Sequence, residues 1–297
     1  MKGRHDGVTR RLSVTLLCNA MMVSSLSAQA ASLVAVLPGS ARAAGMGGAG
    51  AAIVGDAGAI FANPAALATV HHLAVEASYE AHPSGTSFST GALAVRLGRF
   101  DWGVGAAAFG KSYTSADLLG VSSLVLRSGM VALGVTGKYA RETVAGARVD
   151  AWAGDAGLAI AIFDLAALGV SVQNIGGDFG QAAGGLHLPR RTRAGFTLNY
   201  VDPQGTVRLL TTLEGQWPAT GGGSAFVVLG LEGGVVARGV GVLGRIGYVG
   251  HSTATSASPF TGGASVELAG GRLHLDYAYR ADAALGARHR MGLRWMP

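Results

Sequence analysis

From about residue 71 to the C-terminus, hydrophobic and polar positions alternate with a period of two. The clearest stretch is 273–280, where Leu273, Leu275, Tyr277 and Tyr279 fall on one face and His274, Asp276, Ala278 and Arg280 on the other. A strand sends successive side chains to opposite faces, so this spacing gives one apolar face and one polar face, whereas a helix would mix them. Leu73, Val75, Ala77 and Tyr79 alternate in the same way with Ala74, Glu76, Ser78 and Glu80, and Phe196, Leu198 and Tyr200 with Arg193, Gly195, Thr197 and Asn199. Elsewhere, as in 102–109 and 151–162, the polar partner is replaced by Gly or Ala, which leaves room on the inner face. The pattern predicts fourteen strands: 71–81, 87–98, 100–110, 118–127, 129–141, 149–163, 164–174, 191–201, 205–217, 224–236, 239–249, 259–269, 271–281 and 287–296.

The connections alternate too. Short ones fall near Arg99, Ser128, Asp164, Asp202-Pro203-Gln204, Arg238 and Gly270; longer ones are 82–86, 111–117, 142–148, 175–190, 218–223, 250–258 and 282–286. Short turns on one rim and long loops on the other are the habit of outer-membrane β-barrels, and a β-sandwich or propeller has no reason to show it. Tyr79, Tyr139, Trp152, Trp217, Tyr248, Tyr277, Tyr279 and Trp295 lie outward or near strand ends, where interfacial aromatic girdles sit. The fold class expected is all-β: a transmembrane antiparallel barrel of about fourteen strands.

Composition agrees. Glycine occurs 48 times in 297 residues and only 13% of the chain is charged, against a usual ~25%. A soluble protein so poor in charge would struggle to cover its surface; a barrel with an apolar outer band does not face that problem. No run of 18 apolar residues is uninterrupted, so a helical membrane protein is not expected. Residues 1–30 read as a signal peptide: a basic start, an apolar stretch from Ser13 to Leu26, then Ala28-Gln29-Ala30 as the cleavage site. That leader holds the single cysteine, Cys18, and half of the formal charge of +6. The remainder carries no thiol chemistry and no basic footprint of the kind that binds nucleic acid.

Residues 31–70 form a segment preceding the barrel. Asn63 suits an N-cap and Pro64 a first helical position, so 63–68 reads as one or two helical turns, with Phe61 and Leu67 placed to pack inside the barrel mouth. The glycines of 45–58 let the backbone bend in a confined lumen. Ala41-Arg42 through Gly50, then Asp56, then Asn63-Pro64-Ala65 resemble the N-terminal signature of the PorV/PorQ family, relatives of the FadL-type hydrophobic-compound channels. Ser171-Val172-Gln173-Asn174-Ile175-Gly176, Leu188-Pro189, and Leu275-Asp276-Tyr277-Ala278-Tyr279 with Leu285-Gly286 and His289-Arg290 are similar to that family as well.

The resemblance implies a fourteen-strand barrel whose N-terminal segment enters or plugs the lumen, with Asp56, Phe61, Asn63, Pro64 and Ala65 as hatch residues. It implies either passage of small, fatty-acid-like hydrophobic ligands across the outer membrane, or a secretion accessory that binds a protein partner at loops 175–190 and 250–258. Outer-membrane lipid is the expected surrounding, and no cofactor is expected. On the inner face, Glu76, Arg208, Glu214, Arg245, Glu267, Asp276 and Arg280 form a candidate polar network, to be weighed against simple cross-strand pairing.

Three short motifs carry no chemistry. Gly45-Met46-Gly47-Gly48-Ala49-Gly50 has the spacing of a dinucleotide loop, but Pro38-Gly39-Ser40 interrupts any preceding strand and Asp56 comes too early for the ribose acid. Gly250-His251-Ser252-Thr253-Ala254 lacks the last glycine and the strand–turn–helix setting of a nucleophile elbow. His71 and His72 point to opposite sides of an extended chain and do not converge on a metal.

Overall fold

The computed structural model describes residue 35 and residues 37–82, 85–111, 116–144, 146–163, 165–180, 187–219, 224–250, 257–283 and 286–297. The signal-peptide reading of 1–30, with Cys18, lies outside the described residues, as do Ser252 and most of the loop around it.

Fourteen strands close into a barrel: β1 (Leu73–Ala81), β2 (Ser87–Leu97), β3 (Phe100–Gly110), β4 (Asp117–Ser128), β5 (Val131–Val144), β6 (Ala147–Ile162), β7 (Ala166–Ile175), β8 (Arg191–Val201), β9 (Val207–Pro218), β10 (Phe226–Ala237), β11 (Val240–Val249), β12 (Phe260–Leu268), β13 (Leu273–Arg280) and β14 (Arg288–Trp295). Each pairs antiparallel with its sequence neighbour, and β1 with β14. Closure removes both sheet edges, so the ladders run unbroken round the wall, which is what a lipid surrounding requires.

The period-two pattern sets the faces. Along β11 the positions alternate strictly, with Val240, Val242, Ile246 and Tyr248 exposed outside and Leu243, Arg245 and Val249 buried inside. Outward residues such as Ile246 and Leu213 are 60% and 51% exposed, an apolar wall with no protein against it. Such a wall is stable only against hydrocarbon, so the barrel is an integral outer-membrane type of structure.

β1 begins and β14 ends at one rim, together with six turns. There the Arg238-Gly239 turn has both residues at positive φ, the geometry that matches strand twist in a two-residue hairpin. The other rim carries the longer loops, with one exception. Residues 142–148 were expected as a loop; instead β5 and β6 pair on through Val144↔Ala147. Cross-strand partners extend this hairpin, Arg141 with Asp150 at 2.9 Å and Tyr139 against Trp152, and Gly146 at positive φ closes it.

One ladder slips. Between Gly154 and Ala156 the β6/β7 register shifts by a residue, and Asn174 stands at φ 59°. This β-bulge sits in the Ser171–Gly176 stretch. Its extra residue turns the Asn174 side chain inward, where it accepts a hydrogen bond from Lys138 and donates one to the Pro189 carbonyl.

Candidate functional site: the N-terminal segment in the lumen

Residues 37–70 run along the inner wall before entering β1. A short helix, Ala41–Gly45, starts at Ser40, whose hydroxyl accepts from Ala43 N; a glycine-rich turn follows, and then two 3-10 turns, Ala57–Phe61 and Pro64–Thr69. Asn63 caps the second: its side-chain oxygen accepts from Ala65 N while its amide nitrogen donates to the carbonyls of Ala51, at 2.7 Å, and Leu158. Asn63 thereby ties the segment to itself and to β6 at once. Ala51, Ile60, Ala65 and Leu67 are fully buried.

The wall is shaped to this path. A Cβ at Gly103 would meet Leu67 and Ile60, at Gly105 Phe61, at Gly134 the backbone of Pro64 and Ala65, at Gly157 Asn63 and at Gly169 Ala51. On the far side, Gly230 and Gly247 face Met46, Gly263 faces Gly45 and Gly292 faces Ala41. Inward glycines from β3 round to β14 therefore let the segment's backbone approach the sheet more closely than any side chain would permit.

Polar contacts hold it in register. Ser171 and Gln173 of β7 donate to the carbonyls of Ala62 and Phe61 at 2.8 and 2.7 Å. Glu76 accepts from Gly58 N at 2.8 Å. Glu214, fully buried, accepts from Gly50 N and Ala51 N at 2.8 and 2.7 Å and pairs with Arg193 at 2.6 Å. A carboxylate facing two successive backbone amides is the protein's own version of anion capture by a nest.

The densest feature is a closed ring of six charges. Arg42 Nη1 meets Asp56 Oδ2 at 2.9 Å; Asp56 Oδ1 meets Arg294 Nη1 at 2.8 Å; Arg294 Nε meets Asp276 Oδ2 at 2.6 Å. Asp276 Oδ1 then meets Arg245 Nη1 at 2.8 Å, Arg245 Nε bonds Glu232, and Glu232 Oε1 returns to Arg42 Nη2 at 2.6 Å. Three guanidinium groups balance three carboxylates, so the ring is neutral. Two members come from the segment and four from β10, β11, β13 and β14. Burial alone would raise the Asp56 carboxyl; Arg42 and Arg294 overcome it and hold the group well below the usual carboxylate range.

The candidate residues read from sequence thus fall into groups. Asp56, Arg245 and Asp276 share the ring, Glu76 and Glu214 anchor the segment's backbone, and Asn63, Pro64 and Ala65 sit against Gly134 and Gly157. Arg208 pairs with Glu267 at 3.0 Å, apart from the ring, and Arg280 lies at the loop rim, donating to Ser258 O. Arg42, Glu232 and Arg294 complete the ring but were not singled out. Arg294 is carried inward on β14, and Arg42, the other partner of Asp56, sits in the short alanine-rich helix.

Two cavities flank the segment. One of about 300 Å³ opens at the loop rim and one of about 590 Å³ at the turn rim. Between them, under β2–β6, the lumen is filled by an apolar core in which Ile60 and Leu67 pack with Phe88, Leu119 and Val125, capped by Phe179 and Leu188 from the 176–190 connection.

A closed apolar-walled barrel of fourteen strands with its N-terminal segment packed against the inner wall defines the class: an outer-membrane β-barrel. The backbone is similar to the CymD monoaromatic hydrocarbon channel, with a TM-score of 0.56 at 13% identity over 86% of this chain and 96% of that one. It is similar also to a Pseudomonas aeruginosa FadL homologue (TM-score 0.55, 12% identity, 86% and 98% covered) and to the P. putida toluene transporter TodX (0.52, 11%, 86% and 96%). No protein-family model matches the chain, and no curated protein matches it in sequence.

Proposed function

We propose that this barrel passes small hydrophobic molecules across the outer membrane, with residues 37–70 as the gate, and that the family resemblance of Ala41–Ala65 reflects this role. The observation that carries the reading is the placement of the segment: it lies between a cavity at each rim, seated on inward glycines and tied down by Glu76, Glu214 and the charge ring. Its structural neighbours bear the names of hydrocarbon and toluene channels, which favours apolar cargo.

The alternative, an accessory that captures a protein partner at its loops, receives less support. The described part of the 175–190 connection turns Phe179 and Leu188 inward to cap the lumen core.

The test uses uptake by cells carrying Asn63→Ala or a deletion of 43–67. Asn63 is completely buried and its side chain makes three hydrogen bonds, so its loss should loosen the segment while the wall still forms. Uptake unchanged in both variants, with the heat-modifiable barrel band retained, would sink the gate.

A further inference from the structure

Accepting the channel reading, the geometry points to the route and to the cargo's charge: we infer that cargo crosses axially past Asp56, and that it is a small organic anion with a compact apolar body.

The route follows from the wall. All fourteen neighbouring pairs are laddered, and the single register slip, at β6/β7, is filled by Lys138, which reaches Asp155 at 2.7 Å and Asn174 at 2.9 Å. No sideways exit is built there. Under β2–β6 the apolar core stands between the loop rim and a further cavity of about 370 Å³ at the turn rim. The loop-rim and turn-rim cavities that flank the segment share one lining residue, Asp56. Arg42 and Arg294, its two partners, line the turn-rim cavity.

The charge follows from what meets the cargo. At the loop rim Arg191, Arg193, Arg288 and Arg290 line the cavity against Glu80 and Asp56. Arg288 Nε and Arg290 Nη2 are buried without a hydrogen-bond partner among the described residues. These donors and the positive balance favour an anion, and Ile53, Phe61, Phe226 and Val249 offer its body an apolar lining.

At the ring the same preference recurs. An anionic head can take the place of Asp56 between Arg42 and Arg294, so no guanidinium is left bare as the segment yields. A neutral molecule must part Asp56 from both arginines and leave buried charge unpaired, which is costly. A cation satisfies Asp56 but strands the arginines.

The experiment uses the full chain in proteoliposomes and compares efflux of benzenesulfonate with that of neutral benzenesulfonamide, corrected for protein-free vesicles. Wild type should release the sulfonate faster than the sulfonamide. Asp56→Cys in a Cys18→Ser background is then treated with 2-sulfonatoethyl methanethiosulfonate, and labelling is confirmed by mass. Because Asp56 lines both cavities, reagent added on either side should react and bring sulfonate efflux down to the vesicle background. Efflux that survives complete labelling, or protein-dependent efflux of the sulfonamide alone, would overturn the inference and leave the channel reading standing. Efflux of neither compound from wild type would remove both. The wild-type comparison requires no substitution, so a variant that fails to fold does not rescue the idea.

Discussion

Gly169→Ala should unseat the N-terminal segment while sparing the barrel. Gly169 faces inward on β7, and a Cβ there would overlap the Ala51 carbonyl oxygen and stand 2.5 Å from its carbonyl carbon. Ordinary contact begins at 3.4 Å, so the Ala51 carbonyl must retreat by at least 0.9 Å, the shortfall at its carbon. Ala51 N donates to Glu214 at 2.7 Å and Ala51 O accepts from Asn63 at 2.7 Å. A 0.9 Å retreat along either bond takes it to about 3.6 Å, beyond hydrogen-bonding range. One bond involves a buried carboxylate and the other is neutral, so together they are worth about 3 kcal/mol. That changes the ratio of seated to unseated segment by roughly a hundredfold. The strand itself gains, because alanine is better than glycine in a strand interior by about 0.5–1 kcal/mol. Amide hydrogen exchange of residues 41–67 in nanodiscs would report the loosening, alongside leak of a polar dye from proteoliposomes. The control is Gly137→Ala, where a Cβ meets nothing within 4 Å. Equal exchange and equal leak in the two variants would refute the view that wall glycines are the segment's seat.

Two further outcomes follow from the ring. Arg294→Met leaves Asp56 and Asp276 each short of a buried partner, a loss of about 3–5 kcal/mol. A lower urea midpoint is expected, with partial recovery on adding Asp56→Asn, since the two sites share one interaction. As for pH, a carboxyl depressed in the folded state stabilises above its unfolded value and loses that contribution only as pH falls through its folded value. For Asp56 the loss therefore begins below the ordinary Asp value of about 3.9. Wild-type leak should stay flat from pH 7 to 5, while Asp56→Asn leaks throughout that window; a wild-type transition inside it would show that another group controls the segment.

How much of this was legible in the chain depends on the range of the interaction. Strand existence, inner and outer faces and the antiparallel order of sequence neighbours were local properties: period two sorts each side chain to lipid or lumen, and the turns give the order. The observed strands depart from the sequence expectation by three residues at most, the largest shift coming where β5 runs to Val144 rather than stopping at 141. The error there arose because polar residues between strands read as loop, whereas pairing with β6 keeps them in the ladder. The Asn63-Pro64 turn was likewise local, since capping and a pre-set proline φ act within a few residues.

What only the tertiary structure decided is which distant residues meet. Arg42 and Glu232 are 190 positions apart, and Asp56 and Arg294 238; nothing in their neighbourhoods marks them as partners. Closure of the barrel brings β14 beside β1 and so places the last arginine next to a segment near the start of the chain. The glycines show the same division. Their abundance and inward placement were plain from alternation and read as spare room in the lumen. The structure shows that room to be occupied by the protein's own backbone, because a sheet without Cβ atoms can be approached more closely than any other. Patterning along one strand tells a residue which way to face; what it faces is settled by the curvature that carries the other thirteen strands around it.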